Sequence, residues 1–142
     1  MRTLLEQMAQ RLAASPLLDN ETRADAARES RLLAAAVLGC APGDIARRVD
    51  RPLPHTERDR ILAATDRRAR GEPLAYAVGS AAFRHLTLRV DPRVLIPRPE
   101  TEGVVDEVLA VVKDNPGGIA VDIGTGSGRL PWRWPPRGTL TG

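Results

Sequence analysis

The apolar residues of this chain change their spacing once, near Gly71, and that change limits the fold more than any other feature. Before it they recur at three- and four-residue intervals, as on one face of an α-helix. After it they alternate along short runs or sit between prolines. Such a chain is a helical unit followed by a different architecture, and it carries no internal repeat.

The helical part divides at its own stop signals. Leu4, Leu5, Met8 and Leu12 form one stripe, ended by Ser15-Pro16. A second helix is predicted from about Glu21 to Leu38, with Asp19 or Asn20 as N-cap and Gly39 as its stop. Its apolar positions Ala26, Ala27, Leu33, Ala34, Val37 and Leu38 are expected to face the first helix. A short helix fits within 42–49. Another is predicted to start at Thr56 as N-cap, with Asp59 near its N-terminal dipole and Ile61, Leu62, Ala64 and Ala69 on its apolar side. Residues 1–75 are expected to form a helical bundle able to fold by itself.

From Ala81 the pattern is that of strands. Ala81 to Phe83 and Leu86 to Val90 read as a β-hairpin, because Leu86, Leu88 and Val90 alternate with Thr87 and Arg89. The proline-punctuated run 91–99 is excluded from helix interiors, so residues 76–98 are a hairpin and proline-rich linker. Pro99 suits the first turn of a helix through Val104, Val105, Val108, Leu109 and Val112. Asn115-Pro116-Gly117-Gly118 breaks it, and Ile119 to Ile123 reads as a short β-branched strand.

Directly after that strand stands Asp122-Ile-Gly-Thr-Gly-Ser-Gly128, a D-x-G-x-G-x-G loop. Glycines allow positive φ and close approach of a ligand to the backbone. A strand that runs into such a loop places a cofactor at the carboxyl end of a parallel sheet. The spacing differs from the dinucleotide pattern and is that of class I S-adenosylmethionine (SAM) methyltransferases. A flexible glycine loop without a ligand is the plain alternative.

Two further runs accompany the loop: RGEPLAYAVG at 70–79 and VLIPRPETE at 94–102. Together with VDIGTGSG, in that order and behind a helical N-terminal part, they resemble the PrmC/HemK family of release-factor glutamine methyltransferases. The resemblance covers residues 1–128. It implies an α-helical domain that docks the release factor, a β-hairpin linker, and from residue 99 to 128 the start of an α/β Rossmann-like domain that binds SAM. The reaction it implies is methylation of the side-chain amide nitrogen (N5) of the glutamine in the Gly-Gly-Gln motif of peptide chain release factors. By motif match, Gly124, Thr125, Gly126, Ser127 and Gly128 line the methionine part of SAM. Asp122 orients the loop or the SAM amino group, or simply accepts from loop N–H groups. Arg98, Pro99, Glu100 and Thr101 border the active site. Glu100 and Glu102 equally suit a helix N-terminus as dipole-favouring acids, and Arg98 suits pairing with one of them.

The family's further catalytic motif, Asn-Pro-Pro-Tyr, holds the glutamine amide and aims its nitrogen at the SAM methyl, which is catalysis by positioning. No such motif occurs in this sequence, so no catalytic residue is assigned, and Trp134-Pro135-Pro136-Arg137 is a superficial echo. No acid follows Asp122 to grip the SAM ribose. After Gly128 the fold requires a helix, yet Pro131, Pro135 and Pro136 forbid one. Residues 129–142 are therefore read as an aberrant tail, and truncation or a frameshift after Gly128 is expected. With GC-rich codons a neighbouring frame of the tail reads ALALAAP, a helical run. The chain as it stands is expected to be inactive alone.

Charge and composition limit the partners. The net charge is +3, but 1–128 is balanced, and the whole excess comes from Arg129, Arg133 and Arg137. A phosphate-binding face needs locally concentrated positive charge, so no direct nucleic-acid contact is expected. Arg67, Arg68 and Arg70 form one local basic cluster, read as a solvated helix end or a docking surface. With 42% hydrophobic residues the composition is globular, and no apolar run reaches the ~20 residues of a membrane span. The single cysteine, Cys40, excludes an internal disulfide and a Cys-rich zinc site, and no metal is expected. His55 and His85 are expected at the surface, and Tyr76 and Phe83 in the core. A cytoplasmic monomer is expected, with SAM as cofactor and release factors as partners. Two rival functions remain: a non-catalytic release-factor-binding module, and a fragment of a nucleic-acid amino-methyltransferase.

Overall fold

Leu4, Met8 and Leu12 fall four residues apart, so a helix through them presents one continuous stripe, and all three are buried. In the computed structural model, which describes residues 1–114 together with Val121 and Ile123, this helix is α1 (Arg2–Ala13). It ends where predicted. The Ser15 hydroxyl then donates to the Ala69 carbonyl (2.6 Å) and accepts from the Leu17 N–H (3.2 Å), which ties the stop to a distant helix end.

The single helix predicted over 21–38 is two helices, α2 (Asn20–Ala24) and α3 (Ala26–Leu38). They part at Asp25, which leaves helical geometry (φ −110°, ψ 37°). Aspartate is a weak helix former, and α2 buries no residue, so no buried apolar side chain of its own holds it in line with α3. Asp19 is the N-cap. Its carboxylate accepts from the Thr22 N–H (2.7 Å) and the Thr22 hydroxyl (2.8 Å), and these bonds, the backbone one first, hold its pKa below the usual value. Gly39 closes α3 at φ +63°, with Cys40 N–H donating to Ala35 O (3.0 Å) and Gly39 N–H to Ala36 O (3.3 Å). That paired C-terminal geometry needs a left-handed residue, which glycine supplies at least cost.

The short helix α4 (Asp44–Arg48) falls inside the predicted span and buries Ile45. Helix α5 (His55–Ala69) starts earlier than predicted. Pro54, not Thr56, stands at its head, and the Pro54 carbonyl accepts from Arg58 N–H (3.0 Å). Thr56 is thus inside the first turn. Helix α6 (Leu74–Val78) was not foreseen; Pro73 precedes it and Gly79, at φ +84°, ends it.

One core lies among α1, α3, α4 and α5, built on Met8, Leu33, Ala34, Ile45 and Ile61. A smaller cluster joins Leu12, Leu18 and Ala26. Ala27 is exposed and Ala35 buried, the reverse of expectation for this face. Buried Ser30 and Thr65 return their hydroxyls to Ala26 O (2.7 Å) and Ile61 O (2.8 Å), so neither leaves a donor unsatisfied.

The chain divides into two compact units, Met1–Ser80 and a second beginning at Ala81. In the second, β1 (Ser80–Phe83) and β2 (Leu86–Arg89) pair as a two-stranded hairpin, which a two-residue connection forces to be antiparallel. No helix intervenes before α7 (Pro99–Asp114), as the prolines require. Phe83, Val90 and Val105 are buried, whereas Tyr76, in the first unit, is only half-buried. Of the strand expected over 119–123, Val121 and Ile123 are described; both are exposed and neither is in a strand. The rest of that strand, Asp122, the loop Gly124–Gly128 and the tail 129–142 lie outside the described residues. Among the described residues no helix is long and apolar enough to cross a membrane.

Candidate functional site

The described part of the expected site is the start of α7 and the chain leading to it. Asp91-Pro92-Arg93-Val94 is a β-turn, with Val94 N–H donating to Asp91 O (3.0 Å). Pro92 presets the φ that its second position requires, and Asp91 braces the turn from its first. The Asp91 carboxylate accepts from Arg93 N–H (3.0 Å), Nε (3.0 Å) and Nη2 (2.6 Å). The side-chain bonds to Arg93, then its backbone N–H, push the Asp91 pKa down to about 2, and the same side-chain bonds together with the Asp91 charge raise that of Arg93.

Pro99 begins α7, where its missing N–H would have no helical partner in any case. Thr101 N–H donates to Arg98 O (3.0 Å), which closes the first turn. Glu100 and Glu102 are both in that turn, where the helix dipole favours acids. Arg98, Pro99 and Glu100 are exposed and Thr101 is half-buried. Arg98 makes no ion pair among the described residues, so the expected pairing with Glu100 or Glu102 is not formed. These four residues form an open edge. By themselves they do not enclose a molecule the size of SAM, and no chemical step follows from them alone.

The guanidinium of Arg84, in the hairpin turn, is ion-paired with Asp106 of α7. Neither Arg84 nor the Asp91–Arg93 brace was singled out from sequence. The second was within reach, since Asp-Pro-x-x is a turn signature with a mechanism. The first was not, because it joins residues 22 apart in the chain.

The basic cluster at the end of α5 is not a solvated helix end. Arg68 Nε contacts Glu29 Oε1 at 2.7 Å, with the two side chains only 13% and 16% exposed. Its Nη1 donates to Glu72 O (3.0 Å) and its Nη2 reaches Thr22 Oγ1 (3.5 Å). Arg67 holds the Glu72 carboxylate at 2.7 Å. Arg67 and Arg68 therefore tie α2, α3 and the 70–73 turn to α5, and of the three arginines Arg70 alone is exposed. An open concavity of about 110 Å3 lies beside this network, lined by Glu21, Thr22, Asp25, Arg28 and Glu29. It is well below the ~300–1,000 Å3 of typical ligand pockets. His55 and His85 are exposed and Cys40 is half-buried against the main core. Among the described residues no three His, Cys, Asp or Glu side chains gather to hold a metal.

Comparison with known proteins bears on the whole arrangement. The family model of the PrmC N-terminal domain matches residues 3–79, which is the first compact unit almost end to end. A release factor glutamine methyltransferase from Burkholderia pseudomallei is 39% identical over 122 residues, 86% of this chain and 40% of that protein. One from Corynebacterium glutamicum is 44% identical over 118 residues, 82% of this chain and 37% of that protein. One from Agrobacterium fabrum is 35% identical over 126 residues, 86% of this chain and 44% of that protein. The chain thus spans about two fifths of the length of these curated relatives. On the match over residues 3–79 and these identities, the chain belongs to the PrmC family.

Proposed function

We propose that this chain carries the release-factor-docking domain and the beginning of the SAM-dependent domain of a glutamine methyltransferase. Residues 1–75 are the docking domain, 76–98 the linker and 99–128 the start of a Rossmann-like fold, with 129–142 departing from the family pattern. The match of the PrmC N-terminal domain to residues 3–79, followed in sequence by IPRPETE and VDIGTGSG, is the observation that carries this proposal. SAM supplies the methyl group. Asp122 and the loop Gly124–Gly128 hold its methionine part, and Arg98, Pro99, Glu100 and Thr101 border the place where the release-factor glutamine presents its amide.

Without an Asn-Pro-Pro-Tyr motif to orient that amide, the chain as it stands binds and does not turn over. For these 142 residues taken by themselves, that is the action of a release-factor-binding module, which the position of the family match favours. Titration calorimetry of the 142-residue chain against a bacterial release factor tests this, alongside radiolabelled methyl transfer from SAM to the Gly-Gly-Gln glutamine. Saturable binding without transfer is expected. No binding by a folded chain would sink the docking role. Methyl transfer would show that the chemistry resides in residues other than the missing motif. Tighter binding to a nucleic acid than to the release factor would favour an amino-methyltransferase of nucleic acids.

A further inference from the structure

Arg84 is the one non-glycine residue among those described with a positive φ, +53°. It fills the first position of the two-residue loop between β1 and β2, a place that favours glycine because a Cβ crowds the backbone there. Its side chain is 21% exposed, and its Nε is buried with no hydrogen-bond partner among the described residues. Left-handed backbone and an unsatisfied donor are separate costs, and glycine at this position would remove both. What glycine lacks is reach. The Arg84 guanidinium pairs with Asp106, and its Nη1 lies 3.5 Å from the Glu102 carbonyl. Glu102 and Asp106 are four residues apart, hence on one face of α7. The turn is strained around a side chain whose contacts are on the helix.

We propose that Arg84 is a positioning residue. It clamps the Glu102–Asp106 face of α7 to the hairpin turn, and so fixes the first turn of that helix, where Arg98 to Thr101 stand. Its functional meaning rests on the proposal that this turn borders the methyl-transfer site. Asp106 supplies the fixed charge, and the hairpin supplies the geometry that aims the guanidinium.

Residue-resolved amide exchange of the 142-residue chain tests the clamp, because Thr101 N–H reports directly on closure to Arg98 O. In Arg84→Gly, exchange at Thr101 and along 102–106 should rise at least about threefold, while the hairpin amides of 86–89 keep or gain protection. Arg84→Lys should restore part of the loss, since an ammonium still reaches a carboxylate but cannot present the same planar fork. Asp106→Asn should reproduce the loss in α7 without altering the turn, and this keeps the test decisive if the glycine variant folds poorly. Unchanged Thr101 exchange in both Arg84→Gly and Asp106→Asn would overturn the proposal, as would collapse of hairpin and helix protection together. Failure of the chain to bind a release factor would sink the docking role and leave this exchange pattern standing.

Discussion

The two compact units are held by different forces. In residues 1–80, side chains from α1, α3, α4 and α5 close over one another, and Met8, Leu12, Leu33, Ile45 and Ile61 have lost all contact with water. From Ala81 onward, Phe83, Val90 and Val105 are buried among the described residues, and much of the path is set by prolines and short polar braces. Burial is non-directional and sums over many atoms, so the first unit is expected to have a stability of its own. A brace acts on one turn and is answerable to pH and to single charges. A chain ending at Ser80 should therefore unfold cooperatively.

The largest expected effect falls on the apolar side of this contrast. Leu33→Ala removes a fully buried side chain from the main core and should cost about 3–4 kcal/mol, the usual toll of a partly collapsed cavity. Urea unfolding of the chain ending at Ser80 measures it. A shift under about 1 kcal/mol would mean that the core is loosely packed, and the contrast between the units would weaken.

How much of each region could be read in advance follows the same division. Apolar spacing placed α1, α5 and α7, and alternation placed the hairpin, because burial imposes those periods. It failed where burial is silent. Nothing in α2 is buried, so no apolar phase marked the break at Asp25. Helix α6 has five residues, too few for a period to appear, and only Pro73 and Gly79 bracket it. Arg67 and Arg68 looked like a solvated pair because their partners Glu29 and Glu72 are brought to them by the fold. Of the candidate site, Arg98 to Thr101 stand at a helix start as Pro99 suggested, while the tie from Arg84 to Asp106 has no local signal.

Arg68 is where the helical unit itself depends on charge, and it should give the second-largest effect. Arg68→Met leaves the Glu29 carboxylate, 16% exposed, without its partner. Breaking a sealed pair costs roughly 3–5 kcal/mol, and with some water access here roughly 2–3 is expected. Glu29→Leu added to Arg68→Met should recover most of it, since the desolvation of both charges is then removed. The paired unfolding curves separate two roles. Recovery means that the pair chooses a geometry more than it stabilises one. No recovery means that the bonds from Arg68 to Glu72 O and Thr22 carry the cost instead.

The smallest effect is local and belongs to the second unit. Asp91 has a folded pKa of about 2, below that of a free aspartate, because Arg93 holds its carboxylate. A depressed folded pKa means that the ionised group favours the closed turn. That contribution is fully present above the unfolded pKa near ~4 and is lost as pH falls through the folded value. The 91–94 turn should thus open between about pH 4 and pH 2. Carboxyl carbon shifts of Asp91 followed by NMR give the midpoint. Arg93→Ala removes both guanidinium contacts, and the midpoint should climb toward the usual carboxylate range. A midpoint that stays near 2 in that variant would assign the shift to the backbone N–H alone, and the brace would then be the turn's own geometry and not the ion pair.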